Sequence, residues 1–215
     1  MENKPRVPLP EPRNYGDVFN LASEQLAGIN DIEEQCRKTG AHYRIRDSQP
    51  EIIIQYLNRP YLLTLPDAKV APVGSDEEVP LRDRILILHY FISAKGTPAA
   101  NKLITFRELP EGSVYFPTFY LRTIKPLLDR FAKEPRLLLE TGEKLGGHRA
   151  DYGDTAVTIL AFSRVPITII LWRGDDELSP QGNILFDATI ADYLPTEDIT
   201  VLCEVIIWKL IRSLG

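Results

Sequence analysis

The segment 146–154 holds the densest group of chemically capable side chains in the sequence. It reads GGHRADYGD, so three glycines lie among an imidazole, a guanidinium and two carboxylates. Glycine lets a backbone approach a ligand closely, and a glycine-flanked imidazole can act as an acid–base group or an axial metal ligand. We therefore predict a ligand-binding loop formed by Gly146, Gly147 and His148. A helix end followed by a polar loop is the alternative interpretation.

Carboxylates near the ends of predicted strands form a second group of candidate residues. They are Asp154, Asp176, Glu177 and Asp187. Hard divalent cations prefer oxygen ligands, so these side chains could hold a metal ion if the fold brought them together. Such a centre would make the protein a divalent-metal-dependent enzyme that carries out hydrolysis or group transfer, which is the alternative function. Separate carboxylates that face water in ordinary turns are the simpler interpretation.

Aromatic side chains could wall a pocket for a flat ligand. Tyr115 and Phe119 lie close together in the sequence, and Trp172 ends a later predicted strand. Burial of these rings in the core is the alternative. Nucleophilic catalysis has no support, because Ser163 and Ser179 lack a nucleophile elbow. The residues together favour a non-catalytic ligand-binding or accessory protein.

Composition and charge limit the range of partners that the protein is expected to have. The chain has 215 residues and a formal net charge of -5, which gives no overall attraction to phosphate backbones or anionic lipid. We therefore expect neither nucleic acid nor membrane as a partner. Cys36 and Cys203 are far apart and form no metal-binding pattern. Together with a start that lacks an apolar leader, this pattern predicts a cytoplasmic protein.

Apolar periodicity predicts an α+β fold in a single globular domain over 15–215, with a mixed, largely antiparallel sheet covered by helices. Short β-branched and aromatic runs divided by turn residues predict a meander over 52–71. Apolar residues on both faces of 155–173 predict a central hairpin. Helical spacing predicts helices over 18–36, 81–92 and 118–133, and a last helix capped by Thr196.

Two terminal segments could contact a protein partner. Prolines alternate with charged residues over 1–14, which predicts a flexible Pro-rich arm. The helix over 197–212 is apolar on nearly all sides. It must be buried on nearly all sides, either inside this chain or against a second subunit, so a protein-interaction subunit is a further alternative.

The sequence also resembles a known family, domain of unknown function 3786, over nearly its full length. The resemblance rests on YLNRPY at 56–61, ITFREL at 104–109, the glycines at 146–147, GD at 153–154, VPI at 165–167, LW at 171–172, DE at 176–177, ILFD at 184–187 and LPTED at 194–198. It implies an anaerobic host. It also implies a link to corrinoid or other tetrapyrrole binding in one-carbon metabolism, through members that carry an iron–sulfur domain. This chain has no cysteine cluster, so an iron–sulfur role is not expected here.

Overall fold

The described part of the chain, residues 15–46, 49–175 and 177–214 of a computed structural model, is built around one sheet. The predicted arm over 1–14 lies outside it. The strands are β1 (His42–Arg46), β2 (Gln49–Tyr56), β3 (Arg59–Thr64), β4 (Lys69–Pro72), β5 (Leu103–Thr105), β6 (His148–Ala150), β7 (Thr155–Phe162), β8 (Val165–Trp172) and β9 (Gln181–Asp187). The helices are α1 (Tyr15–Ala27), α2 (Ile32–Thr39), α3 (Leu81–Ser93), α4 (Gly112–Phe119), α5 (Lys125–Phe131), α6 (Arg136–Lys144) and α7 (Thr196–Arg212), and a π-helical turn (Tyr120–Ile124) joins α4 to α5.

The sheet has the strand order β4-β3-β2-β7-β8-β9-β5, with β1 also paired to β2 and β6 also paired to β7. Each of these pairs is antiparallel. The predicted meander and the predicted central hairpin are both present, as β2-β3-β4 and β7-β8. The α+β class is confirmed, and the parallel pair that a mixed sheet would contain is not found among the described strands.

The two halves of the sheet meet at a single rung, where Tyr56 of β2 lies opposite Phe162 of β7. On one side of this rung β2 pairs with β1, and on the other side β7 pairs with β6. An aromatic stack reinforces the junction, because the Phe162 ring centroid lies 4.9 Å from that of Tyr56 and 4.1 Å from that of Tyr90 on α3. Side-chain packing therefore holds this junction more than backbone hydrogen bonds do.

One apolar core joins the sheet to the helices, and α7 lies inside it. Residues 198–207 of α7 are all buried, and the helix contacts α3, α5, α6 and the π-helical turn. The chain's own elements thus cover the apolar helix that the sequence left open to a second subunit. Trp208, Lys209 and Arg212 remain partly accessible near its end. No helix in the described ranges is long and apolar enough to cross a membrane.

The first predicted helix, 18–36, is two helices in the structure. The chain breaks after α1 at Gly28, and Asp31 begins α2 by accepting a hydrogen bond from the Glu34 amide at 2.8 Å. An aspartate in this position satisfies an amide at the free helix end, so a new start competes with continuation of the first helix. Gly40, with φ at +69°, ends α2 as expected.

The predicted helix over 118–133 begins earlier and is not regular. It starts at Gly112 and contains Pro117, which lacks an amide hydrogen, and the π-helical turn follows directly. The cap predicted for α7 is also wrong. Thr196 is the first residue of the helix and makes no cap hydrogen bond, because its hydroxyl donates to the Pro110 carbonyl at 2.8 Å.

Candidate functional site

A cleft between α1, α3, the π-helical turn and α7 is the main candidate site. We call it the α3–α7 cleft; its volume is about 530 Å³. A neighbouring cavity of about 280 Å³, here the His89 cavity, shares Tyr15, Arg82 and Arg122 with it. Sites for small molecules typically enclose about 300 to 1,000 Å³, so the cleft has the size of a ligand site.

The cleft follows the seam between α3 and α7, which run in opposite directions. Near one end, Lys209 Nζ lies 3.8 Å from Asp83 Oδ1. Towards the other end, His89 Nδ1 lies 2.7 Å from Asp198 Oδ2. The first contact joins the start of α3 to the end of α7, and the second joins the middle of α3 to the start of α7. Polar side chains therefore link the two helices that form the walls.

A buried ion pair crosses from the π-helical turn to α7. Arg122 Nε lies 3.0 Å from Glu204 Oε2, and Nη2 of the same guanidinium contacts the same oxygen. The Glu204 side chain is 3% exposed and that of Arg122 is 19% exposed. A buried charge is costly unless it is paired, so this contact holds Arg122 in place. π-Helical turns occur often at functional sites, which agrees with the position of Arg122 on the wall of both cavities.

Asp83 connects the cleft to the sheet. Its Oδ1 accepts a hydrogen bond from the hydroxyl of Tyr56 at 3.0 Å, and both residues are buried. Burial, and secondarily the neighbouring Asp83 carboxylate, holds the pKa of Tyr56 well above its ordinary value. Tyr56 therefore stays protonated and remains a hydrogen-bond donor to Asp83.

On the cleft walls the acidic groups have protein partners, whereas two of the basic groups do not. Asp83 and Glu204 are both satisfied by the contacts described above. Arg82 is half-buried on the first turn of α3, and Arg212 is exposed on the last turn of α7. Neither guanidinium forms a hydrogen bond or an ion pair with the part of the chain that the structure describes. Two positive charges on the walls thus remain available to a ligand.

His89 is the histidine that lines a cavity in this region. The Asp198 carboxylate can only accept, so the neutral imidazole carries its proton on Nδ1 and leaves Nε2 as an acceptor. A carboxylate that accepts from one ring nitrogen in this way fixes the orientation of the imidazole. In the sequence His89 resembles a core histidine, because it lies among apolar residues.

The segment 146–154 is not an open loop. It contains β6, in which an exposed His148 lies opposite Thr158 of β7. Gly146 adopts φ at +73°, and a Cβ there would lie 2.5 Å from the Asn58 side chain. A Cβ on Gly147 would lie 2.8 Å from Val157. The positive φ accounts for Gly146 and close packing against β7 accounts for Gly147, and neither glycine lines the α3–α7 cleft.

The three aromatic residues predicted to form a pocket wall lie in different settings. Phe119 is fully buried, with its ring centroid 3.9 Å from that of Phe106. Tyr115 is exposed on α4, and Trp172 is partly exposed at the end of β8. None of the three lines the α3–α7 cleft or the His89 cavity. Phe119 is a core residue, which was the alternative interpretation.

The candidate metal ligands do not converge. Asp154 accepts from the Arg173 amide at 2.7 Å, at the end of β8 marked by Leu171 and Trp172. Asp187 ends β9 beyond Phe186, which pairs with Ile167 at the opposite end of β8. At about 3.3 Å per strand residue, the two positions are roughly 13 Å or more apart. This separation corrects the expectation of one shared site.

The other two carboxylates do not restore such a centre. Asp176 lies outside the described residues, and Glu177 is exposed, with its amide donating to Asp175 Oδ1 at 2.9 Å. No group of three or more His, Cys, Asp or Glu residues in the described ranges could hold a metal ion. The turn interpretation of these acidic residues agrees with their observed hydrogen bonds.

The residues that line the cleft had one signal in the sequence. Glu204 is an acidic residue within an almost entirely apolar helical stretch, and Asp83 lies between Arg82 and Arg84 at the start of another apolar helix. A charge that a helix must bury needs a partner, so each points to a specific contact. The identity of that partner could not be read from the sequence, because Tyr56 and Arg122 lie far away along the chain.

Fold and site together define an α+β protein with a charged cleft between two antiparallel helices. The chain belongs to the family described as Domain of unknown function (DUF3786), whose model matches residues 31–209. The match covers nearly the whole chain and agrees with the resemblance seen in the sequence. No curated protein and no solved structure matches it.

Proposed function

We propose that this protein is a non-catalytic ligand-binding or accessory protein whose ligand occupies the α3–α7 cleft. The observation that carries the proposal is a cavity of about 530 Å³ whose walls are held by the buried pair of Arg122 and Glu204 and by the contact of Lys209 with the buried Asp83. Walls that are already ordered lose little conformational entropy when a ligand binds. The cleft therefore has both the size and the rigidity that binding requires.

The arrangement of the acidic groups favours binding over catalysis. Asp83 is paired with Tyr56 and Lys209, and Glu204 is paired with Arg122. Carboxylates held in this way support the walls and are not free to act on a substrate. The divalent-metal-dependent enzyme that the sequence offered as an alternative depends on other carboxylates, and two of these, Asp154 and Asp187, lie apart and already accept backbone hydrogen bonds.

A corrinoid or another tetrapyrrole is one ligand that we propose for this site. Nε2 of His89 has no partner among the described residues and could serve as an axial ligand, with Asp198 holding the ring. Arg82 could meet the acidic side chains of a porphyrin. The proposed site is thus the cleft and the His89 cavity rather than the segment around His148.

We also propose that the protein works in the cytoplasm. Cys36 and Cys203 are both free and buried, which suits a reducing compartment. The two thiols do not contribute to the ligand site, because neither lines the α3–α7 cleft.

Absorbance titration with hydroxocobalamin and with haem tests the tetrapyrrole version. We expect a shift in the ligand spectrum at micromolar protein, which His89→Ala abolishes. His148→Ala is the matched control and should leave the shift unchanged, because His148 is exposed on β6. A wild-type titration without spectral change removes tetrapyrroles, and loss of the shift in His148→Ala alone would move the site to the 146–154 segment.

A neutral fluorescent probe tests the broader proposal. Phenylnaphthylamine, an uncharged flat aromatic molecule, should fluoresce on entering the cleft beside Trp208. Trp208→Ala removes part of the wall and should weaken this binding. Trp172→Ala removes the other tryptophan, which lies at the end of β8, and should have no effect. Equal binding to both variants, or no binding to the wild type, contradicts a ligand site in this cleft.

A further inference from the structure

The walls of the α3–α7 cleft carry more positive than negative charge. Four basic residues line it, namely Arg82, Arg122, Lys209 and Arg212, against the two acids Asp83 and Glu204. The chain as a whole has a net charge of -5, so this excess of cations is local. Both acids are already paired with protein groups, which leaves the excess on the two unpaired arginines.

Arg82 is the more informative of the two unpaired arginines. It is half-buried, and it lines both the α3–α7 cleft and the His89 cavity. A guanidinium on a cleft wall that has no protein partner keeps its donors available to a ligand. The planar fork of arginine fits a carboxylate, sulfonate or phosphate group.

Apolar residues also line the cleft. Trp208 and Val205 of α7 line it, together with Leu81 and Pro80 at the start of α3. Such a surface suits the carbon skeleton of a ligand and not a small hydrated ion. Aromatic and cationic side chains in one cleft indicate a molecule with an apolar body and an acidic end.

We infer that the ligand of this cleft is an organic anion with a flat apolar body. Its acidic group binds Arg82, with Arg212 contributing from the rim, and its body packs on Trp208. The buried pair of Arg122 and Glu204 stays intact as part of the cleft wall. This inference rests on the proposed function and adds the charge of the ligand and the residue that binds its acidic group.

Two fluorescent probes that differ in one acidic group test the inference. Anilinonaphthalene sulfonate has the same ring system as phenylnaphthylamine and an added sulfonate. We expect the anionic probe to bind the wild-type protein more tightly than the neutral one. We expect Arg82→Gln to weaken the anionic probe about 10-fold or more, the usual effect of losing a charge-assisted hydrogen bond, and to leave the neutral probe unchanged.

Arg84→Gln is the matched control. Arg84 lies on the same helix, but its guanidinium stacks on Phe19 and it does not line the cleft. This variant should bind both probes as the wild type does. Added potassium chloride should weaken the anionic probe alone, because salt screens the attraction.

The outcomes separate the two proposals. If Trp208→Ala weakens the binding of neither probe, the proposed function fails. If Trp208→Ala weakens the neutral probe, the ligand site stands. The anion inference is then overturned if the anionic probe binds the wild type no more tightly than the neutral one, or if Arg82→Gln does not weaken the anionic probe. Thermal melting of each variant shows whether a loss of binding reflects a loss of fold.

Discussion

Asp187 ties the backbone at 100–101 to the end of its own strand through its two carboxylate oxygens. It accepts hydrogen bonds from the amides of Ala100 and Asn101 at 3.0 and 2.8 Å, and from the amide and hydroxyl of Thr189 at 3.0 and 2.7 Å. Burial alone would raise the pKa of Asp187, but the bonds from Thr189, Ala100 and Asn101 outweigh it and hold the pKa below its ordinary value. The side chain proposed from the sequence as a metal ligand thus supports the fold.

Asp187→Asn should destabilise the protein by about 1 to 3 kcal/mol at neutral pH, because it removes a charged acceptor from several donors. A carboxyl with a lowered native pKa stabilises the fold above its unfolded pKa of about 3.9 and loses this effect as the pH falls through the native value. The difference between wild type and variant should therefore shrink below about pH 4. Urea unfolding across pH measures it.

Asp129→Asn is the control for this experiment. Asp129 is 62% exposed and pairs with Lys125 one turn away on α5, so its loss should cost about 0.5 kcal/mol or less. A cost for Asp187→Asn that equals this small value, or one that does not change with pH, would contradict the role assigned to Asp187.

Residue types alone could indicate which side chains are able to do chemistry, but not which of them are free to do it. Asp154 and Asp187 have the right chemistry for a metal, yet backbone amides from the turns already bind their oxygens. Arg82 was not selected, because a single arginine at a helix start is unremarkable in a sequence. Only the three-dimensional neighbours show that it lacks a partner.

Helix α6 packs on strand β7 at a point where only glycine fits. A Cβ on Gly142 would lie 2.6 Å from Cγ2 of Val157, which is fully buried. Helix propensity favours alanine over glycine by up to about 1 kcal/mol, and the close contact opposes it. We expect the close contact to outweigh the gain in helix propensity, because side chains in a packed core can move aside only slightly.

Gly142→Ala should therefore lower the free energy of unfolding by about 1 to 3 kcal/mol, despite the better propensity of alanine. In a Val157→Ala background the methyl groups that clash are gone, and the same substitution should become neutral or stabilising. Chemical unfolding of the four proteins of this cycle gives the coupling. A Gly142→Ala variant more stable than the wild type would show that the helix shifts away at little cost.

Elements with strong periodicity could be predicted, and their ends and breaks could not. Strands β7 and β8 and helix α3 follow from apolar runs that are long enough to have one interpretation. The break at Gly28 depends on competition between a cap at Asp31 and continuation of the first helix. The π-helical turn depends on a similar competition around Pro117. Such competition involves about 1 kcal/mol, which apolar periodicity does not report.

The two cysteines report on the stability of the whole molecule. Burial, with a smaller effect from Glu33, raises the pKa of the Cys36 thiol to about 11, and burial raises the pKa of Cys203 further. Reaction with a disulfide reagent needs the thiolate, of which Cys36 would have about one part in a thousand at pH 8. Both thiols should thus be inert in the native state.

At pH 8 we expect dithionitrobenzoate to modify neither cysteine in the native protein and both in urea, with native labelling no faster than unfolding. Cys36→Ser and Cys203→Ser assign the two sites. Rapid modification of Cys36 in the native protein would show that α2 opens separately from the core. Rapid modification of Cys203 would contradict the enclosure of α7.

For the whole molecule, the α+β class and the antiparallel sheet could be predicted from the sequence, because apolar patterns and turn residues report them directly. The strand order could not, because nothing local links β2 to β7 or β5 to β9. The α3–α7 cleft was beyond prediction for the same reason. Its walls come from α1, α3, the π-helical turn and α7, which tertiary packing alone brings together.

The single rung between Tyr56 and Phe162 has a consequence for how the protein is made. Strands β1 to β4 follow one another directly, so they can pair as soon as they leave the ribosome, whereas β7 is synthesised only after α3 to α6. Contacts between distant parts of a chain form slowly. A nascent chain therefore carries a finished meander with an open edge beside Tyr56, which must stay shielded until Phe162 arrives.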